Sequence, residues 1–90
     1  MRVSILESKN EVYTANAQQV TLPGEDGELC VLDFHQPFLY CLQSGYINVS
    51  EAKLERGQMH RREPGMNKRL WIKTGVAKMQ NNELTILVET

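Results

Sequence analysis

Residues 22–35 read LPGEDGELCVLDFH. Pro23 and Gly24 end an apolar run that contains Val20 and Leu22, and a second apolar run, Leu29 to Leu32, begins just past Gly27. Glu25, Asp26 and Glu28 lie around Gly27 between the two runs. Proline and glycine mark turns because one fixes φ and the other accepts positive φ. The stretch therefore reads as a charged turn between two strands. The unbroken run 29–32 predicts a strand covered on both faces.

The same short rhythm continues on either side. Met1, Val3 and Ile5 alternate with Arg2 and Ser4, and Val12 and Thr14 alternate with Tyr13 and Ala15. Downstream, Phe38 to Leu42, Tyr46 to Val49, Leu70 to Ile72, Val76 to Met79 and Leu84 to Val88 are further apolar runs. Pro37 fits a strand start, and Ser44-Gly45, Thr74-Gly75 and Gln80-Asn81-Asn82 are turn chemistry. Eight or nine short strands with close turns are an all-β pattern. They cannot bury their faces as one sheet, so a two-layer β-sandwich or flattened barrel is the physical solution.

Ninety residues make one small domain, 1–90, with net charge −1, 41% apolar and 23% charged residues. That balance gives no global field toward nucleic acid or an anionic membrane. No apolar run approaches the roughly 20 residues that span a bilayer. The N-terminal MRVSILESKNEVY lacks the apolar core of a secretory signal. Cys30 and Cys41 sit inside strand-like runs, where the thiol packs as a small hydrophobe, so both are expected to be buried and reduced.

Residues 50–69, SEAKLERGQMHRREPGMNKR, break the rhythm. They read as a long polar loop, or as a short helix over Glu51 to Arg56 stopped by Gly57. The cluster His60-Arg61-Arg62 with Lys68-Arg69 is basic, but Glu51, Glu55 and Glu63 dilute it. Trp71 is the only aromatic nearby, so nucleic-acid binding is disfavoured.

Catalytic readings fare poorly. Glu25, Asp26 and Glu28 sit in a turn where water keeps them equivalent, whereas acid–base work needs environments that separate two carboxyls. His35 and His60 match no metal-ligand spacing, and Cys30 with His35 lacks an orienting third group. No cofactor and no metal are expected. A binding module is the better reading, with the acidic turn offering charge. Tyr13, Leu39 and Leu87, out of phase with their neighbours, are the outward apolar contacts; ordinary core is their alternative reading.

LPGEDGELCVLDFHQPFLYCLQSG resembles the signature region of the epsilon subunit of F-type ATP synthases, called delta in mitochondria. That family runs Leu-Pro-Gly, an acidic turn, Gly-Glu-Leu-Gly-Val, then Pro-Gly-His-Ala-Pro-Leu-Leu and a later Pro-Gly. Leu22, Pro23, Gly24, Gly27, Glu28, Leu29, Val31, His35, Pro37, Leu39 and Gly45 match it. Glu11-Val12-Tyr13 looks like its second strand, and residues 76–90 look like its last hairpin. Cys30 stands at a family glycine, Asp33-Phe34 replaces Pro-Gly, and Thr74 replaces the first of two glycines. The segment 50–69 is longer than usual, and the family pattern continues into two antiparallel helices beyond the position matched by Thr90.

The resemblance implies a sandwich of about ten strands with no chemistry of its own. It implies a rotor subunit of a proton- or sodium-translocating ATP synthase. Such a subunit joins gamma to the c-ring, peripheral at the cytoplasmic face of the energy-transducing membrane. Glu25, Asp26 and Glu28 would then meet the ring, with His35 in a second loop at the same end, and Tyr13, Leu39 and Leu87 would meet gamma. A chain ending at Thr90 would couple without the family's inhibitory helices. The alternatives are a stand-alone sandwich adaptor of another assembly and, more weakly, a jelly-roll enzyme with a metal on His35 and His60.

Overall fold

The computed structural model describes residues 1–7, 10–51 and 67–90. Its elements are eight strands: β1 (Arg2–Glu7), β2 (Asn10–Gly24), β3 (Gly27–Leu32), β4 (Phe38–Leu42), β5 (Gly45–Glu51), β6 (Asn67–Ile72), β7 (Thr74–Gln80) and β8 (Glu83–Glu89). The fold is all-β, as the apolar rhythm predicts. The short helix proposed from Glu51 fails at its first residue, which pairs with Ala17 in the β2–β5 ladder. The rest of that proposal, with His60 and the basic cluster His60–Arg62, lies outside the described residues. Lys68 and Arg69 belong to β6.

Pairing runs β1-β8-β7-β4-β2-β5-β6, with β3 on β2 and a further β1–β2 ladder that brings the order round on itself. The chain forms two layers because β2 belongs to both. Its first half pairs with β1, from Asn16 opposite Arg2 to Asn10 opposite Glu7. Its second half lies between β3 and β5. The first layer is thus β4-β7-β8-β1 with the start of β2, and the second is β3, the end of β2, β5 and β6.

A register shift between Ala17 and Gln19 makes this possible. Before it, Tyr13, Ala15 and Ala17 face inward; after it, Val20, Leu22 and Gly24 do. Gln18 and Gln19 are both exposed at the bulge. An extra residue in one strand bends it and adds twist, which suits the passage from one layer to the other.

A second shift, between Ile5 and Leu6, leaves Val12 unpaired and exposed and sets Tyr13 opposite the buried Ile5. Tyr13 therefore packs on the core rather than facing outward, contrary to the alternation read from the sequence. Its hydroxyl donates to Glu51 Oε2, and Lys68 Nζ lies 5.9 Å from its ring centroid. Desolvation, reinforced by the Glu51 carboxylate, pushes the phenol well above its ordinary pKa. The hydrogen bond ties the two layers together at one end.

One core joins both layers, including Val3, Ile5, Leu84 and Ile86 from the first and Val20, Leu22, Ile47 and Ile72 from the second. Inward rows cross the first layer in register, as in Tyr40–Ala77–Ile86–Ile5–Tyr13. The small Ala77 sits between two large neighbours in that row. Asn81 and Asn82 have φ of 54° and 57° and form the two-residue turn from β7 to β8, where asparagine tolerates the left-handed region. The turn expected at Thr74-Gly75 falls one residue earlier: Lys73 alone bends the chain, its N–H donating to Glu89 O at 2.7 Å.

Two burial expectations are corrected. In β3 only Val31 is fully buried, while Cys30 and Leu32 face solvent. Among the described residues the strand pairs with β2 alone, and none covers its outer face. Both thiols are free and exposed, because Val31 and Leu42 take the neighbouring inward positions. Ile86 and Leu87 test the register, since one is fully buried and the next is half exposed. Ile86→Ala is expected to cost about 2–5 kcal/mol, and Leu87→Ala under about 0.5 kcal/mol, read from urea midpoints at constant m-value.

Candidate functional site

Glu25 and Asp26 are the two residues that join β2 to β3 beyond the pair Gly24–Gly27. Gly27 has φ of 123°, a conformation that side-chain-bearing residues rarely adopt. Gly24 serves a close approach instead. A Cβ there would lie 2.2 Å from Tyr40 Cε2 and 2.7 Å from Gly27 O. The tip is tied to the neighbouring turn by Glu25 N–H donating to Cys41 O at 3.2 Å and Gln43 N–H donating to Pro23 O at 2.8 Å. Glu25, Asp26 and Glu28 are all exposed on this braced tip.

His35 is not at that end. It follows β3, and the six residues of that strand carry the chain about 20 Å from the acidic turn. Successive turns on one straight strand must lie at opposite ends, so the two loops form separate surfaces. The His35 N–H donates to Leu32 O at 3.1 Å, its Nδ1 lies 2.9 Å from Gln36 O, and its ring meets Phe38 edge-on at 5.3 Å. Phe38 in turn meets Tyr40 at 6.4 Å. An aromatic row thus runs along β4 from the histidine loop to the acidic tip.

Sequence reading missed Phe34. It stands where the resembling family has glycine, its φ is 63°, and it is 81% exposed. A bulky residue in the left-handed region is strained. Its neighbours hold it there: Asn82 Oδ1 accepts the Phe34 N–H at 2.7 Å, and the Met1 ammonium binds both Asp33 Oδ1 and, at 2.9 Å, Ala17 O. The hydrogen bond from that ammonium holds the Asp33 carboxyl below its ordinary pKa, against a smaller opposing effect of desolvation. The only signal in the sequence was Asp-Phe in place of Pro-Gly.

Each layer has a distinct outer face. On the first, Cys41, Val76, Leu87 and Leu6 are successive register partners across four strands, with Leu39 beside them. Leu39 is 71% and Leu87 53% exposed, so both project outward as expected; Tyr13 is not part of this face. A cleft of about 620 Å3 lies at its edge, lined in part by Pro37, Phe38, Leu39 and Met79. On the second, Tyr46 and Trp71 are opposite each other and Arg69 lies over Tyr46. Among the described residues no three His, Cys, Asp or Glu side chains are grouped to hold a metal ion.

The whole chain, residues 1–90, matches the family described as ATP synthase, Delta/Epsilon chain, beta-sandwich domain. The chain belongs to that family. Among curated relatives, the ATP synthase epsilon chain of Herminiimonas arsenicoxydans is 28% identical over 90 residues, 100% of this chain and 57% of the relative. That of Nostoc punctiforme is 30% identical over 88 residues, 98% of this chain and 57% of the relative. The chain therefore spans a little over half the length of these relatives. Among solved structures, a chain of the Tetrahymena thermophila mitochondrial ATP synthase central stalk and c-ring aligns with TM-score 0.74 at 14% identity, over 99% of this chain and 63% of that one. A chain of the Euglena gracilis mitochondrial ATP synthase aligns with TM-score 0.73 at 16% identity, over 98% of this chain and 49% of that one. At these identities the likeness shows a shared fold.

Two outcomes follow for the Phe34 loop. Phe34→Gly is expected to raise stability by about 1 kcal/mol, since glycine accepts the left-handed conformation; a thermal midpoint that falls would contradict the strain. Asp33 has a folded pKa below its unfolded value near 3.8, so its contribution is present above about pH 4 and is lost as pH falls through the lower folded value. The midpoint difference between the wild-type chain and Asp33→Asn should be constant from about pH 5 to 7 and shrink below about pH 4.

Proposed function

We propose that this chain acts as the β-sandwich part of an epsilon-type subunit in the central stalk of an F-type ATP synthase. It is a non-catalytic rotor component that links gamma to the c-ring and passes ring rotation to the stalk. The observation that carries this reading is the match of the whole chain to the delta/epsilon β-sandwich family. The braced acidic tip supports it, because that tip occupies the family's signature motif.

In this role Glu25, Asp26 and Glu28 face polar loops of the ring. Charge pairs at such a rim contribute about 0–1 kcal/mol each and act mainly on orientation and encounter rate. The apolar outer face of the first layer, with Leu39, Val76 and Leu87, supplies the buried area against gamma. His35 and Phe34, at the other end of β3, belong with that upper contact rather than with the ring. A close-packed two-layer core suits the mechanical task, because dense interiors resist compression and transmit strain. The subunit sits at the membrane surface through its partners. Among the described residues no helix is long and apolar enough to cross a bilayer.

The two exposed thiols lie on opposite outer faces and so make the test. With Cys30→Ser, a bulky maleimide on Cys41 should block co-purification with gamma. With Cys41→Ser, the same label on Cys30 should not. Glu28→Lys should weaken binding to isolated c-ring about fivefold in low salt, with less effect in high salt and an unchanged thermal midpoint. Ring binding that ignores the reversal, or gamma binding that ignores the Cys41 label, would count against the assignment.

A further inference from the structure

The outer face of the second layer carries a group of side chains that the rotor reading does not use. Tyr46 on β5 and Trp71 on β6 are register partners. Their ring centroids lie 5.0 Å apart at 72°, and both rings are more than 40% exposed. Arg69 lays its guanidinium over Tyr46, 3.7 Å from the ring centroid. Among the described residues no carboxylate pairs with Arg69. A guanidinium this close to a ring loses freedom, and because Arg69 is exposed its N–H donors can fork onto a carboxylate. Next to it lies a shallow cleft of about 210 Å3, where Gln19, Thr21, Asn48, Ser50 and Asn67 offer amides and hydroxyls.

We propose that this face docks a polypeptide segment that sets a carboxylate beside an apolar side chain. The carboxylate takes the Arg69 fork, the apolar side chain lies against Trp71 and the open part of Tyr46, and the segment's peptide groups meet the amide-lined cleft. Geometry favours this occupant over others. The two rings are tilted and Arg69 covers one side of Tyr46, so no flat platform is left for a sugar or a nucleic-acid base. Lys68 lies on the opposite side of β6, over Tyr13, and Glu28 shares the outer face with Arg69. An anionic membrane surface calls instead for a cluster of several cations. Tryptophan, tyrosine and arginine are the residue types that most often anchor protein interfaces. Here they stand on two paired strands, so little freedom is lost on docking. The inference does not rest on the rotor reading, since this face is opposite the one assigned to gamma.

Trp71 is the chain's only tryptophan, so its emission and its indole N–H resonance report on the site directly. The probes are a capped pentapeptide of alternating leucine and acidic residues, and its counterpart with asparagine and glutamine in place of the acids. The acidic peptide should give a saturable change at Trp71. The amide peptide, and the acidic peptide on Arg69→Gln, should bind at least about tenfold more weakly. Arg69→Lys keeps the charge and loses the fork, and should fall between. No change with the acidic peptide, equal responses to the two peptides, or indifference to Arg69→Gln would overturn the proposal. So would a response to phosphatidylserine vesicles without one to the peptide.

Discussion

The fold depends on one strand that changes allegiance. β2 pairs with β1 in the first layer and with β3 and β5 in the second, and the extra residue at Gln18-Gln19 keeps an apolar face inward on both sides of the change. In a regular strand the inward set has a strict period of two. Ala15 and Ala17 would then set a phase that turned Val20 and Leu22 to solvent. Both are fully buried, so the bulge brings two out-of-phase segments into one core. Everything that projects from the second layer, the acidic tip included, is positioned by that correction.

The strands place the presenting surfaces far apart and brace each of them. The acidic tip is held by backbone hydrogen bonds to the β4–β5 turn and by Tyr40 lying on Gly24. The histidine loop is held by Asn82 and by the Met1 ammonium. Between them the aromatic row along β4 adds stiff contacts to the ladder. A domain built this way keeps its two ends in fixed relation, which is the property that a link between two larger bodies requires.

The two outer faces differ in chemistry because they differ in what the register lines up. On the first layer, Cys41, Val76, Leu87 and Leu6 fall into one apolar row across four strands. On the second, Thr21, Asn48 and Arg69 fall into a polar row, with Tyr46 and Trp71 beside it. Neither row is visible along the chain, where its members lie tens of residues apart. Sequence alone marked Leu39 and Leu87 as outward, since simple alternation holds in β4 and β8. It failed for Tyr13, because the bulge leaves the apolar Val12 unpaired and exposed while Tyr13 shares the inward phase of Ala15 and Ala17, and it failed for Cys30 and Cys41, whose inward neighbours already fill the core.

By itself the sequence determined the strand rhythm, most of the turns and the exposed acidic tip. Those features rest on local chemistry: apolar alternation, the conformational range of glycine and asparagine, and the solvation of charge. The family motif was legible for the same reason, because its glycines and proline mark turns that any such fold needs. Only the tertiary structure decided which strands share a layer, where β2 crosses between them, and that His35 lies at the far end from the acids. It also decided which side chains meet across strands, as Arg69 and Trp71 meet Tyr46. Those outcomes depend on register, and register is set by how both layers pack on one core rather than by any segment alone.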